Sequence, residues 1–235
     1  MRERPMLFNG PMVRAILDGR KLQTRRVVKL PPAPMHLGEW EAGTISADPA
    51  HNSTGAAIPH QGCIWHTRTG KSLMCPHGQP GDRLWVRENG LEHRRTRLFI
   101  HDATPGRWWT PEDGGRYGAS YGPAITRASL LRNHKVRASI HMPRWACRLV
   151  LEITDVRVER LQAISEADAF AEGADVHVLP DVRLPRAHPR AGRPMAYADS
   201  REIFADLWDS TGGDWAANPW VWVIGFKRLG GGDHG

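Results

Sequence analysis

Residues 18–26 read DGRKLQTRR and place a lysine, Lys21, three positions before a threonine, Thr24, among Arg20, Arg25 and Arg26. An amine beside a hydroxyl can take its proton and activate a weak nucleophile, provided neighbouring cations keep the amine partly uncharged. Three arginines supply that electrostatics here. Spacing alone leaves two other readings open, a solvated basic turn and a phosphate-contacting patch. Lys21 and Thr24 share a face only if the chain turns, which the nearby end of a helix suggests; in an extended strand they point oppositely. Glu172 is the second candidate. It falls in the last turn of a helix expected over SEADAFAEG, where the macrodipole disfavours a carboxylate by ~0.3–1 kcal/mol. An acid so placed calls for a cation such as Lys21, and an ordinary surface glutamate is the plainer alternative.

Other residue sets carry weaker signals. Cys63-x-x-His66 and Cys75-x-His77 have the donor types of a zinc site. Their spacing departs from the paired C-x₂₋₄-C pattern of structural zinc, so no metal is assigned. Aromatic and cationic residues interleave in RLWVRE, GRWW and MPRW, a mixture that suits base stacking with phosphate contact and equally a Trp-rich core with solvated arginines. The Walker A, G-x-G-x-x-G, H-E-x-x-H and G-x-S-x-G patterns are absent, which removes most of the weight from the reaction classes they serve.

The elements that must position these residues follow from periodicity. GPMVRAILDGR puts Met12, Val13, Ile16 and Leu17 on one helical face, with Gly19 as a C-terminal stop. GDRLWVREN alternates Leu84 and Val86 against Arg83, Trp85 and Arg87, the period of a strand. RWACRLVLEITDVRVERL alternates Cys147, Leu149, Leu151 and Ile153, and PWVWVIGFKRL reads as a closing strand. Ser165 is a helix N-cap with Asp168 three residues on and Gly173 as the stop. Phe204, Leu207 and Trp208 form the apolar face of a helix capped by Asp199 or Ser200. The stretches at about 30–80, 90–138 and 174–196 are rich in Pro, Gly, His and Arg and are expected to be loops inserted into one α+β domain over 1–229. The tail 230–235 is expected to be disordered.

The chain has 235 residues, 40% hydrophobic, which suits a globular protein. Its formal charge of +7 tilts the choice of partner towards polyanions or nucleotides. No apolar run approaches the ~18 residues needed to cross a bilayer. The N-terminal residues lack a secretory h-region, and three cysteines imply no disulfide framework. A cytoplasmic protein without a membrane partner is expected.

Several motifs occur together in order: G-R-K-x-x-T-x-R (Gly19, Arg20, Lys21, Thr24, Arg26), G-D-x-L-x-V (Gly81, Asp82, Leu84, Val86), I-S-E-A-D-A-F-A-E-G and V-W-V-I-G-F-K-R-L. The combination resembles the ASCH superfamily, and the central and terminal stretches look most like the longer ASCH proteins of bacteriophages and prophages. The resemblance implies a PUA-like mixed β-barrel with flanking helices and long inserted loops. It also implies a function. The bacterial N4-acetylcytidine amidohydrolases of this superfamily use a lysine, a threonine and a glutamate, which fall on Lys21, Thr24 and Glu172. On that reading Arg26 or a backbone N–H stabilises the oxyanion, Trp85 stacks on the pyrimidine, and no cofactor is needed. The chain would act as a monomer on a small modified nucleoside. The alternative is an RNA-binding module or a ribonuclease of phage origin. Two positions depart from the enzymes: Arg25 stands where they are apolar, and Gly225 where many relatives carry an acid.

Overall fold

The computed structural model describes residues 1–31, 38–45, 50, 51, 55, 57–96, 98–102, 132–175 and 199–229. In chain order the elements are β1 (Glu3–Leu7), α1 (Gly10–Leu17), β2 (Gln23–Val27), β3 (Trp40–Ile45), β4 (Ala50–His51), β5 (Ala57–Ile58), β6 (Gln61–His66) and β7 (Ser72–Leu73). They continue with β8 (Arg83–Arg87), β9 (Gly90–His93), β10 (Phe99–His101), β11 (His134–Arg137), β12 (Val150–Arg160), α2 (Glu166–Ala171), α3 (Ser200–Ser210) and β13 (Trp220–Arg228). The fold is α+β, with mixed and antiparallel sheets and few helices. Among the described residues neither of its two units closes into the barrel that the resemblance implied.

The first unit comprises Met1–Asp18, Asp82–Glu152 and Lys227–Gly235. β1 runs parallel to β8, and β8 is antiparallel to the opening residues of β12, with Trp85 opposite Val150. β9 is the centre of a second antiparallel sheet between β10 and β11. α1 starts where the Asn9 side chain accepts from the Met12 N–H, and it buries Val13, Ala15 and Ile16. Gly19 follows with φ 73°, the left-handed conformation that glycine reaches without steric cost. Phe99, Met142, Ala146, Cys147 and Val150 form an apolar cluster against which Trp85 and Trp145 pack. Burial pushes the Cys147 thiol up to about 11, so it behaves as a small core hydrophobe.

This unit also buries charge. Arg148 grips Glu88 in a bidentate pair, with both bonds 2.7 Å, and His101 Nδ1 lies 3.0 Å from Glu88 Oε1. Burial holds His101 below its ordinary pKa, although Glu88 pulls the other way. A histidine depressed in the folded state binds fewer protons there than when unfolded. Its contribution to stability is therefore whole above the unfolded value of ~6.5 and is lost as pH falls below it. Thermal melts from pH 7.5 to 5.5 are expected to show a falling midpoint, and His101→Gln should flatten that slope. An unchanged slope in the variant would assign the acid sensitivity to other groups.

The second unit comprises Gly19–Gly81 and Ile153–Phe226. β13 is antiparallel to β2, β6 lies between β3 and β7, and β4 pairs with β5. α2 begins at Ser165, whose hydroxyl accepts from the Asp168 N–H, and ends before Gly173, which has φ 90°. Asp199 caps α3 by accepting from Glu202 N–H, which decides between the two expected caps. Leu161, Ile164, Ala169, Ile203, Phe204, Val221 and Val223 form the core beneath these helices. β6 packs close to β12: a Cβ on Gly62 would stand 2.6 Å from the Arg157 Cα.

The expectation of plain loops fails in two places. Residues 40–73 carry β3 to β7, and residues 90–137 carry β9 to β11. These strands are short and interrupted by Gly and His, so their alternation does not stand out in the sequence. The expected loop at 174–196 and the tail 230–235 lie almost entirely outside the described residues.

Candidate active site

Lys21, Glu172 and the residues that contact them belong to the second unit. After Gly19 the chain does not make the expected turn through Lys21 and Thr24. Lys21 forms an isolated antiparallel bridge with Glu172, and β2 begins two residues later. Leu22 is held from both sides: its N–H donates to Ala171 O at 2.8 Å, and its carbonyl accepts from Phe226 N–H at 2.9 Å. The entry of β2 is thus fastened to the exit of α2. The period-two alternation of an extended chain then turns Lys21, Gln23 and Arg25 to one face. Each of the three bonds to the α2 region.

Lys21 is 1% exposed, which excludes a solvated turn. Its Nζ donates to Glu172 Oε2 at 2.6 Å and to the Glu172 backbone oxygen at 2.9 Å. Glu172 is the C-cap of α2, so its carboxylate does sit at the unfavourable pole of a helix and has found its cation. The other carboxylate oxygen, Oε1, accepts from Arg25 Nη1 at 3.0 Å. Arg25 is buried and also donates to Glu159 Oε1, from Nε at 3.1 Å and from Nη2. Asp168 Oδ2 is 3.4 Å from Nη2, and the Phe204 ring covers the guanidinium at 5.7 Å. Gln23 donates to Asp168 O at 2.9 Å, and Arg157 Nη2 donates to Asp168 Oδ1 at 2.7 Å.

Burial, above all, lowers the Lys21 pKa; Glu172 opposes it, and Arg26 and Arg25 add smaller downward pushes. The cause therefore differs in rank from the expectation, which gave the arginines the leading part. Burial also lowers Arg26, against an upward pull from Glu172. Burial pushes the Asp168 carboxyl up, but Arg157, Gln23 and Arg25 together hold the group below its usual range.

Lys21 and Glu172 are thus in direct contact. Thr24 is buried at 2% exposure in β2, opposite Ile224. No hydrogen bond joins it to Lys21, in keeping with the extended chain between them. Arg26 is half-buried opposite Trp222. Trp85 belongs to the first unit, where its ring meets the Arg87 and Arg144 guanidinia at 5.1 and 5.8 Å. Cys63, His66, Cys75 and His77 are not gathered into a metal-holding group among the described residues, and His66 Nδ1 lies 3.1 Å from Thr69 Oγ1.

The roles of three site residues escaped the sequence reading. Arg25 counted there as one of the arginines around Lys21 and not as a partner of Glu172, Glu159 fell near the end of a strand, and Asp168 was a helix-start residue only. Two of these carried a usable signal. The two-residue spacing of Lys21, Gln23 and Arg25 marks one strand face, and the i, i+4 spacing of Asp168 and Glu172 marks one helix face.

No protein-family model matches this chain, and none of the curated proteins or solved structures compared with it does so.

Proposed function

We propose that the chain is an ASCH-type amidohydrolase that removes the acyl group from N4-acylated cytosine in a nucleoside or base. One observation carries the reading. Lys21 Nζ already donates two hydrogen bonds, both to Glu172. A neutral amine has two protons and one lone pair, so it can make both bonds and keep the lone pair for an incoming proton, while the Glu172 carboxylate stabilises the amine once it is protonated. Burial favours that neutral form.

In the proposed reaction the Lys21 lone pair takes the Thr24 hydroxyl proton as Thr24 Oγ attacks the amide carbonyl carbon. The reaction requires Lys21 and Thr24, which the extended chain turns to alternate positions, to come into contact in the substrate-bound state. The Arg26 guanidinium stabilises the oxyanion. The C–N bond breaks, the exocyclic nitrogen receives the proton held by Lys21, and an acyl ester remains on Thr24. Lys21 then takes a proton from water as the water oxygen attacks the ester carbonyl, and it passes that proton to the departing Thr24 oxygen. This releases the carboxylic acid, which ionises in solvent, and restores both residues. Glu172 keeps the lysine oriented and compensates its charge whenever it is protonated.

Incubation with N4-acetylcytidine should release cytidine, followed by chromatography, and rapid quenching should trap an acetyl group on the Thr24 peptide. Absence of turnover would overturn the proposal.

A further inference from the structure

The proposed chemistry leaves Arg25 unused, although its buried guanidinium meets three carboxylates, Glu159, Asp168 and Glu172. We propose that Arg25 is a positioning residue for this site: its guanidinium holds Glu172 by Oε1, so that Oε2 and the backbone carbonyl are both presented to Lys21. The catalytic meaning of this inference rests on the reading of Lys21 as the base; the positioning itself does not.

The geometry requires such a group. A glutamate side chain at the end of a six-residue helix has rotatable χ angles, and the hydrogen bond from Lys21 to Oε2 alone would let the carboxylate swing. The Arg25 bond to Oε1 occupies the second oxygen and fixes the plane of the group. Arg25 in turn cannot drift. Glu159 accepts from both its Nε and its Nη2, Asp168 lies beside Nη2, and Phe204 covers its face. Its side chain is fully buried, so it is not a surface cation available to substrate. The chain of contacts runs Glu159, Arg25, Glu172, Lys21, with alternating charge and every member on β12, on β2 or the residues leading into it, or at the end of α2.

Alternating charge gives the proposal a signed consequence. The charged groups that face Lys21 are Glu172, Arg26 and Arg25. Removing Arg25 leaves the whole Glu172 charge to Lys21 and should raise the lysine's pKa. Removing the charge of Glu159 leaves Arg25 uncompensated and should lower it.

The test is an NMR titration of ¹³C-lysine-labelled full-length protein, with the Lys21 signal assigned through Lys21→Met. In Arg25→Met the Lys21 midpoint is expected to rise by about 1 pH unit, and in Glu159→Gln to fall. A midpoint that stays in place in both variants, or moves the same way in both, overturns the positioning role. Should Arg25→Met not fold, Glu159→Gln and Arg25→Lys give the same decision: Arg25→Lys keeps the cation and should hold the midpoint near that of the wild type. If N4-acetylcytidine is turned over, the rising limb of kcat/KM against pH should move with the NMR midpoint. At neutral pH Arg25→Met should then be about tenfold slower, recovering at high pH, because one pH unit is a tenfold change in the neutral fraction. A loss equal at all pH values would mark a purely structural role. The titration reads the positioning even if the hydrolysis assay is negative, so the two proposals fail separately.

Discussion

Thr24→Ala should reduce N4-acetylcytidine hydrolysis by at least about 10³-fold, because the variant lacks the atom that forms the acyl ester. Thr24→Ser, which keeps the hydroxyl, should retain a large part of the rate. The side chain is small and buried in a strand paired with β13, so the Ala variant should stay folded, with its circular dichroism spectrum unchanged. Loss of the acetyl adduct together with loss of turnover would tie the two events to one atom. An Ala variant that turns over like wild type would remove Thr24 as nucleophile and leave a lysine-activated water in its place. A wild type that is inert on the nucleoside yet binds RNA, with affinity falling steeply as salt rises, would favour the binding-module reading.

The second large effect concerns stability, and it is asymmetric. Glu172 stands between two buried cations, at 2.6 Å from Lys21 and 3.0 Å from Arg25. Glu172→Ala leaves Lys21 buried without its counter-charge, and removing one partner of a buried pair costs about 3–5 kcal/mol. Lys21→Met removes the other partner but leaves Glu172 with Arg25, while the methionine fills much of the vacated volume. Its cost should be clearly smaller. Urea denaturation of the two variants measures the difference. If Lys21→Met proved as costly as Glu172→Ala, Arg25 would not be sharing the carboxylate as the geometry indicates. The double variant Lys21→Met with Glu172→Leu should cost less than the two single losses summed, since no unpaired lysine remains and Arg25 keeps Glu159 and Asp168.

Much of the scaffold was legible because it rests on local rules. The Leu84 and Val86 alternation gave β8, the apolar run PWVWVIGFKRL gave β13, and Ser165 and Gly173 bounded α2 where the caps lie. The long β12 was legible too, although it begins at Val150 and a tight turn at Arg144–Ala146 precedes it. What failed were the short strands in Gly- and His-rich stretches, where two to six residues give too few periods to recognise.

The sequence by itself determined the chemical types at the site: a lysine and a threonine among arginines, and a glutamate at the wrong end of a helix for its charge. Only the tertiary structure decided which of them meet. Lys21 and Glu172 are 151 residues apart, and no local rule reaches over that distance. The structure also replaced a turn by an extended chain, which turned Arg25 inward with Lys21 and carried Thr24 to the alternate position. Burial then did what sequence proximity could not: it removed water from the lysine and made one carboxylate the shared partner of two cations.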